Sequence, residues 1–164
     1  MSFYTDPASY QSQYVNLGKV ETQGWEAFVA AEPVSQLTLR LGYTKLTAND
    51  MTQADTLGPI PLVRRADYKI SLDAGYQWRA AHVQLSVQRV GARWDLAFDP
   101  VTYASRQVSL EPYTLVNLAA AYDITPVLQA YFKINNLLDA DYTEVSGYNT
   151  LRFAALGGLR YQWK

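Results

Sequence analysis

Residues 66–79 read Ala-Asp-Tyr-Lys-Ile-Ser-Leu-Asp-Ala-Gly-Tyr-Gln-Trp-Arg. From Tyr68 to Trp78 every second side chain is apolar or aromatic, and the side chains between them are mostly polar or charged. A period of two places successive side chains on opposite faces of a β-strand. In a helix, Leu72 and Asp73 would lie only about 100° apart, and the charges would surround the axis. The stretch therefore predicts a long strand with one apolar face and one polar face.

The same alternation recurs on both sides of this strand. It predicts strands at residues 37–45, 82–88, 127–135 and 150–163, and in a less regular form at residues 20–32 and 112–123. Residues 10–17 are expected to add one more strand, entered through the turn signal Asn16-Leu17-Gly18. The chain is therefore predicted to be all-β, with about seven to eight strands.

The predicted connections are of two kinds. Short turns are expected at residues 33–36, 79–81 and 123–126, and long polar loops at residues 50–64, 95–111 and 139–149. Short and long connections alternate strictly along the chain. An antiparallel meander therefore has its tight turns at one end and its long loops at the other.

Long strands with one polar face, and long loops at one end only, are typical of transmembrane β-barrels of the Gram-negative outer membrane. Aromatic pairs near strand ends, Tyr76 with Trp78 and Tyr161 with Trp163, fit the rings that lie at the level of the lipid headgroups. A soluble β-sandwich would also alternate, but strands in soluble proteins average only about 5–6 residues. The pattern favours an antiparallel transmembrane barrel in contact with outer-membrane lipid.

Composition excludes several classes of protein. The chain has 164 residues, enough for one domain, and its 14 basic and 15 acidic residues exclude the overall excess of basic charge that is typical of nucleic-acid-binding proteins. It has no cysteine, which excludes disulfides, cysteine-ligated metals and a cysteine nucleophile. Although 49% of its residues are hydrophobic, they are mixed with polar ones, and no run approaches the roughly 20 apolar residues of a membrane helix. The first residues also lack the features of a secretory signal.

The sequence contains few residues that are candidates for catalysis or for metal binding. His82 is the single histidine, and we expect it to be a solvated histidine on the polar face, so no enzyme activity is predicted. Asp139 and Asp141 could bind calcium or could form a strand-to-loop corner in which Asp and Asn accept local backbone hydrogen bonds. The corner is the simpler interpretation, and neither a cofactor nor a resident metal is expected.

The C-terminal third contains Asn136-Leu137-Leu138-Asp139-Ala140-Asp141-Tyr142, followed by Gly147-Tyr148 and a last alternating strand. This segment closely resembles the C-terminal region of TonB-dependent outer-membrane receptors, in which an Asn-Leu-Phe-Asp box precedes an acidic residue and a tyrosine. Further motifs resemble that family and follow in its order along the chain. They are Tyr14 with Asn16 and Gly18, Gly24-Trp25-Glu26, Tyr43-Thr44, Leu62-Val63-Arg64-Arg65 and Val90-Gly91 with Arg93 and Asp95.

The resemblance implies a function and a larger architecture. Receptors of this family have a plugged barrel of about 22 strands. Residues 1–164 would then be a single C-terminal portion of such a barrel, without the plug domain through which the TonB complex acts. The resemblance is nearest to the vitamin B12 and siderophore branch, so it implies uptake of a ferric siderophore or cobalamin. The alternative is a self-contained barrel of about eight strands with a structural or adhesive role.

The resemblance, together with the strand pattern and the loop residues, suggests roles for individual residues. Leu159, Tyr161 and Trp163 would form the terminal signal read by the barrel-assembly machinery, although Lys164 follows the last aromatic residue. In the long loops, aromatic and polar side chains are weak candidates for contact with ligand: Tyr103, Arg106, Tyr142, Tyr148 and Asn149. The polar strand face would line the lumen with Lys69, Asp73, Arg79, Gln84, Gln88, Lys133, Asn135, Arg152 and Arg160.

Overall fold

A computed structural model describes residues 2–5, 9–15, 18–52 and 54–163. Asn16, Leu17 and Lys164 lie outside these residues. The described chain contains the strands β1 Ser2–Thr5, β2 Ser12–Val15, β3 Val20–Val34, β4 Leu37–Asp50, β5 Ile60–Pro61, β6 Tyr68–Trp78, β7 Ala81–Val90, β8 Arg93–Phe98, β9 Ser105–Leu110, β10 Tyr113–Thr125, β11 Leu128–Asn135 and β12 Ala154–Tyr161, and the helical turn α1 Ala54–Leu57. Within the described ranges, no helix has the length and hydropathy needed to cross a membrane.

Most of the strands form one antiparallel sheet. Its order is β12-β11-β10-β7-β6-β4-β3, and the short β5 pairs with β4. Strand neighbours are joined by tight turns at Ser35-Gln36, Arg79-Ala80 and Pro126-Val127, as the sequence predicts. The predicted strand at residues 10–17 forms as β2, but it pairs with β1 in a separate two-stranded sheet. The predicted all-β antiparallel meander is confirmed.

The register of the sheet separates two faces. Leu72 lies opposite Leu41 and Val87 on the face that we call the outer face. Ser71 lies opposite Gly42 and Gln88 on the other, which we call the inner face. Residues from six strands, β4, β6, β7, β10, β11 and β12, line one cavity of about 630 Å³, so the sheet curves around its inner face. We call this cavity the wall groove.

The apolar side chains of the outer face are not covered by a second sheet. Phe132 is 44% exposed and Leu159 is 68% exposed, and both lie on this face. The buried apolar residues of the described chain are few: Ala48, Ala66, Val90, Leu110 and Tyr113. A β-sandwich would bury one face of each sheet in a common core. The exposed apolar face therefore contradicts a sandwich and suits contact with lipid.

One predicted loop is wrong. Residues 95–111 are not an irregular loop, because β8 and β9 form a hairpin whose tip is residues 99–104. Strand β7 leads into β8 through Gly91-Ala92, and β9 leads into β10 through Glu111-Pro112. Strands β7 and β10 pair directly with each other. Strands β8 and β9, which lie between them in the chain, pair with each other outside the main sheet, and we call them the outer hairpin. The other long connections are residues 51–67, called the first loop, and residues 136–153, called the last loop.

The main sheet does not close on itself into a barrel within the described residues. Strand β3 is at one edge and β12 is at the other, and they do not pair with each other within the described ranges. An independent small barrel requires its first and last strands to pair, so the structure does not support the self-contained alternative.

Candidate functional site

The two long loops and the outer hairpin meet at Asp95. Its carboxylate is fully buried at 0% exposure. Oδ1 accepts a hydrogen bond from Arg64 Nε of the first loop at 2.8 Å, and Oδ2 accepts one from the backbone N–H of Ser146 in the last loop at 2.7 Å. One side chain of β8 therefore joins three segments, which together we call the rim.

The environment of Asp95 favours its charged form. Burial opposes ionisation, but the hydrogen bonds from Ser146 N–H and the Arg64 guanidinium outweigh it and hold the pKa of Asp95 below its usual value. Asp95 lies in the outer hairpin, outside the main sheet. The rim thus contains a buried carboxylate that is ionised at neutral pH and fully hydrogen-bonded.

Arg93 and Tyr113 attach the last loop to the sheet at a second place. Arg93 is 7% exposed, and its Nη2 donates to the backbone oxygen of Thr143. Its guanidinium carbon lies 5.2 Å from the centre of the Tyr113 ring, in reach of a cation–π interaction. The Tyr113 hydroxyl donates to Glu144 Oε1 at 2.8 Å, and its ring packs on Tyr142 with centroids 4.5 Å apart.

Asn136 forms the centre of the predicted strand-to-loop corner. It is 3% exposed, its Oδ1 accepts the backbone N–H of Ala140, and its Nδ2 donates to the backbone oxygens of Ala140 and Leu151. Its own N–H donates to Asn117 Oδ1. Every polar atom of this side chain therefore fixes backbone at the start or the end of the last loop.

Asp139 completes the corner by binding Arg152. The alternation of the sequence predicts that Arg152 faces the lumen. Arg152 donates from Nε and Nη2 to the two carboxylate oxygens of Asp139, each at 2.9 Å, and the Phe153 N–H also binds this carboxylate. Arg152 Nη1 lies 3.3 Å from Asp141. The placement of Arg152 in the lumen is therefore wrong, because the residue precedes β12 and pairs within the last loop.

The aspartates of the corner are paired with a guanidinium, which agrees with the interpretation as a strand-to-loop corner. Within the part of the chain that the structure describes, no group of three His, Cys, Asp or Glu side chains is arranged to hold a metal ion. Asp139 and Asp141 both face the guanidinium of Arg152, which already balances their charge. Leu137 and Leu138, in the middle of the box, are exposed.

A cavity of about 490 Å³ lies on the inner face beneath the rim, and we call it the rim groove. Four cationic and two acidic side chains line it: Arg64, Arg65, Lys69, Arg93, Glu26 and Glu144. Arg64 is engaged by Asp95, and Glu144 by Tyr113. The excess of positive charge suits an anionic ligand. Sequence reasoning noted Arg64, Arg65 and Arg93 only as motif residues, and their convergence depends on contacts between distant segments.

Tyr142, one of the five loop residues named as weak ligand candidates, packs on Tyr113, and the other four lie on two segments of the rim. Tyr103 is in the tip of the outer hairpin and Arg106 is in β9, opposite Ala97. Tyr148 and Asn149 are exposed in the last loop. All four are exposed, but the residues that line the rim groove are others, so a role for these four in ligand binding stays a prediction.

The polar strand residues occupy the inner face as expected, with one exception besides Arg152. Asp73, Gln84, Lys133 and Arg160 line the wall groove. Arg79 instead lies in a tight turn with a φ of 53°, and its guanidinium carbon is 5.1 Å from the centre of the Trp78 ring.

His82 also lines the wall groove and is half-exposed, as the sequence suggested. Its Nε2 lies 3.2 Å from Asp123 Oδ2, and the other oxygen of Asp123 accepts from Gln129. These contacts link three neighbouring strands, β7, β10 and β11, close to the tight turns. They account for His82 as a structural residue of the inner face.

The terminal strand carries its aromatic residues on the outer face. Leu159 lies opposite Ala130 and Tyr161 opposite Leu128. The rings of Tyr161 and Trp163 are in edge contact, with centroids 5.0 Å apart. Their suggested role in barrel assembly stays a prediction.

Comparison with known proteins gives the same fold. Residues 2–137 match the family described as TonB dependent receptor-like, beta-barrel. Among solved structures, the pyoverdine outer membrane receptor FpvA from Pseudomonas aeruginosa PAO1 is 24% identical with a TM-score of 0.72, over 97% of this chain and 23% of FpvA. The ferric-catecholate import receptor Fiu from E. coli K12 is 20% identical with a TM-score of 0.68, over 98% of this chain and 23% of Fiu.

The siderophore receptor PiuA from Acinetobacter baumannii is 18% identical with a TM-score of 0.64, over 86% of this chain and 22% of PiuA. The chain thus spans less than a quarter of the length of each of these receptors. The family match covers most of the chain and agrees with the open, two-faced sheet. The chain therefore belongs to the TonB-dependent receptor-like β-barrel family.

Proposed function

We propose that this chain is part of the barrel wall of an outer-membrane receptor that takes up a ferric siderophore. Membership of the TonB-dependent receptor family over residues 2–137 is the observation that carries the proposal. The chain is an outer-membrane protein of Gram-negative bacteria, as are the receptors that share its fold. Its outer face contacts lipid, and its inner face lines the transport path.

The open sheet supports a larger barrel. The hydrocarbon layer offers no hydrogen-bond partners, so an unpaired strand edge within it is costly. Strands β3 and β12 therefore require further strands, which we assign to the remainder of the receptor. We propose that residues 1–164 form a single C-terminal portion of the barrel and that a plug domain outside this segment contacts the TonB complex. The barrel-assembly machinery would insert the whole protein.

The rim groove supports an anionic ligand. Arg65 and Lys69 line it, and both are exposed to solvent. Ferric siderophores offer oxygen-rich, commonly anionic surfaces, which cationic side chains bind through charge-assisted hydrogen bonds. FpvA, Fiu and PiuA are receptors for siderophores or ferric catecholates. We therefore favour a ferric siderophore over cobalamin. The role is transport, with no catalytic step.

Uptake by intact cells tests this function. Iron-limited cells with and without the gene are given ⁵⁵Fe-labelled pyoverdine, a ⁵⁵Fe-labelled catecholate siderophore or labelled cobalamin, and accumulation is measured. We expect one ferric siderophore to accumulate only in cells that have both the gene and an active TonB complex. If only the uptake of cobalamin depends on the gene, the ligand is cobalamin and the proposed ferric siderophore is wrong. Unchanged uptake of every probe after deletion of the gene would contradict a transport role.

A further inference from the structure

We propose that Asp95 is a positioning residue that holds the last loop against the outer hairpin before any ligand arrives. The loop segment it controls carries Tyr148 and Asn149. The importance of this segment for ligand capture rests on the proposed function. The positioning itself rests on the contacts of Asp95.

The two oxygens of the Asp95 carboxylate serve different segments. Oδ1 binds the Arg64 side chain and Oδ2 binds the Ser146 backbone, which is 51 residues away in sequence. The carboxylate is fully buried, so water does not compete for either oxygen. Arg64 is fixed by a second contact, since its backbone N–H donates to the Trp94 oxygen at 2.6 Å. The first loop is therefore bound to β8 through both the side chain and the backbone of Arg64, and the last loop attaches to this pair of segments.

Ser146 is the attached residue that directly precedes the exposed residues 147–149 of the last loop. Arg93 and Tyr113 hold the neighbouring residues Thr143 and Glu144. Beyond them, the N–H of Tyr148 donates to the backbone oxygen of Val145, which closes a tight turn around Ser146. Release of Ser146 would free this turn while the attachments at residues 143 and 144 remain. Asp95 thus controls the position of residues 145–149 in particular.

Asparagine in place of Asp95 isolates this role. It has nearly the same volume, but one of its two terminal atoms is an NH₂ donor. Both groups that face the carboxylate are N–H donors, so the amide can satisfy only one of them. The main sheet does not depend on Asp95, because its strands are paired directly with each other. D95N should loosen the rim without unfolding the wall.

Hydrogen exchange of the ligand-free protein, extracted from the outer membrane, tests the proposal. In D95N we expect the amides of Ser146 and Tyr148, which are the hydrogen-bonded amides of this turn, to exchange about tenfold faster or more, because a buried charged hydrogen bond is lost. Exchange in β6 and β7 should stay unchanged. D99N is the matched control, since Asp99 is an exposed carboxylate in the tip of the same hairpin.

Unchanged exchange at Ser146 and Tyr148 in folded D95N would overturn the proposal, and so would equal acceleration there in D99N. If D95N is not assembled, S146P removes the N–H donor and leaves the carboxylate and Arg64 in place. The Tyr148 amide should then exchange faster, because the turn that it closes is released, and no change in it would also contradict the proposal.

Transport kinetics separate positioning from the proposed function. With ⁵⁵Fe-labelled pyoverdine and ⁵⁵Fe-labelled catecholate as probes, we expect D95N to raise the KM of uptake and to leave the maximal rate unchanged. If the wild-type protein takes up neither probe while exchange at Ser146 and Tyr148 still depends on Asp95, the proposed function fails and the positioning role stands. An unchanged KM together with faster exchange would limit Asp95 to local structure and overturn its role in ligand capture.

Discussion

Asn136 and Asp139 both have left-handed backbone conformations, with φ values of 52° and 49°. Among residues with a Cβ atom, Asn and Asp adopt this conformation most readily. The same two side chains also bind the backbone around the last loop. The residue types of the box therefore meet two requirements, for the backbone angle and for the hydrogen bonds of the corner.

Replacing Asn136 with Ala should destabilise the protein by about 1–3 kcal/mol, since buried backbone groups of Ala140 and Leu151 would lose their partners. Urea unfolding in detergent, followed by tryptophan fluorescence, measures the change. Leu138→Ala in the same box is the control, because Leu138 is 63% exposed, and it should have little effect. Equal losses in the two variants would contradict the structural role of Asn136.

The Asp139 corner should be sensitive to acid. The Arg152 side chain, followed by the Phe153 N–H, holds the pKa of Asp139 below its usual value. A lowered pKa means that the charged form stabilises the corner above the ordinary Asp pKa of about 3.9, and that this stabilisation is lost as the pH falls through the lowered pKa.

A nitroxide label at Leu138, an exposed residue next to Asp139, should therefore report an unchanged corner between pH 8 and pH 5, and greater mobility only in stronger acid. Asp139→Asn should remove this pH step. Loosening of the corner above pH 5 in the protein that retains Asp139 would contradict the assignment.

The contacts of individual residues could be predicted from the sequence only in part. The box and the motifs around Arg64 and Arg93 are recognisable in the sequence, but their partners are not. Asp95 meets Ser146, which is 51 positions away, and no period in the sequence connects the two. Parity placed Arg152 in the lumen because it treated the strand as continuous from residue 150, whereas β12 begins at Ala154.

At the scale of elements, alternation predicted the long strands well because each has one face toward lipid. It failed for β8, which is only six residues long. Arg93 and Asp95 are charged but buried, since the hairpin packs them against the two long loops. Charged residues in a short segment suggest a solvated loop, and only the tertiary partners explain a strand.

Strand β6 offers a direct test of the two faces. Leu72 lies in the middle of the strand on the outer face, and we expect Leu72→Arg to cost about 2–4 kcal/mol in a bilayer. Ser71→Arg, on the inner face of the same strand, should be mild because its charge stays in water. Unfolding measured in lipid vesicles compares the two. Similar costs for both variants would contradict the assignment of the faces.

At the scale of the whole molecule, the alternation of short and long connections correctly predicted which end carries the loops. The closure of the wall could not be predicted from this sequence, because it depends on the strands that pair with β3 and β12. The sheet has an exposed apolar face and very few buried apolar residues because that face suits lipid and is not covered by a second layer of protein.

The native protein should be much larger than this chain. Because the chain covers 23% of FpvA, we expect a native outer-membrane protein of about four times its mass. Immunoblotting of unheated and heated membrane extracts with an antibody against the last loop measures this mass. A heat-resistant band of the size of the 164-residue chain would instead support an independent small barrel.

The tip of the outer hairpin is held by its own residues. Asp99 Oδ1 accepts the N–H groups of Val101 and Thr102, and the Asp99 N–H donates to the Ala104 oxygen. A foreign peptide inserted between Val101 and Thr102 would thus extend from the cell surface without disturbing Asp95 or the barrel. Antibody labelling of living cells should detect such an epitope, which makes this position suited to surface display and to counting receptors on single bacteria.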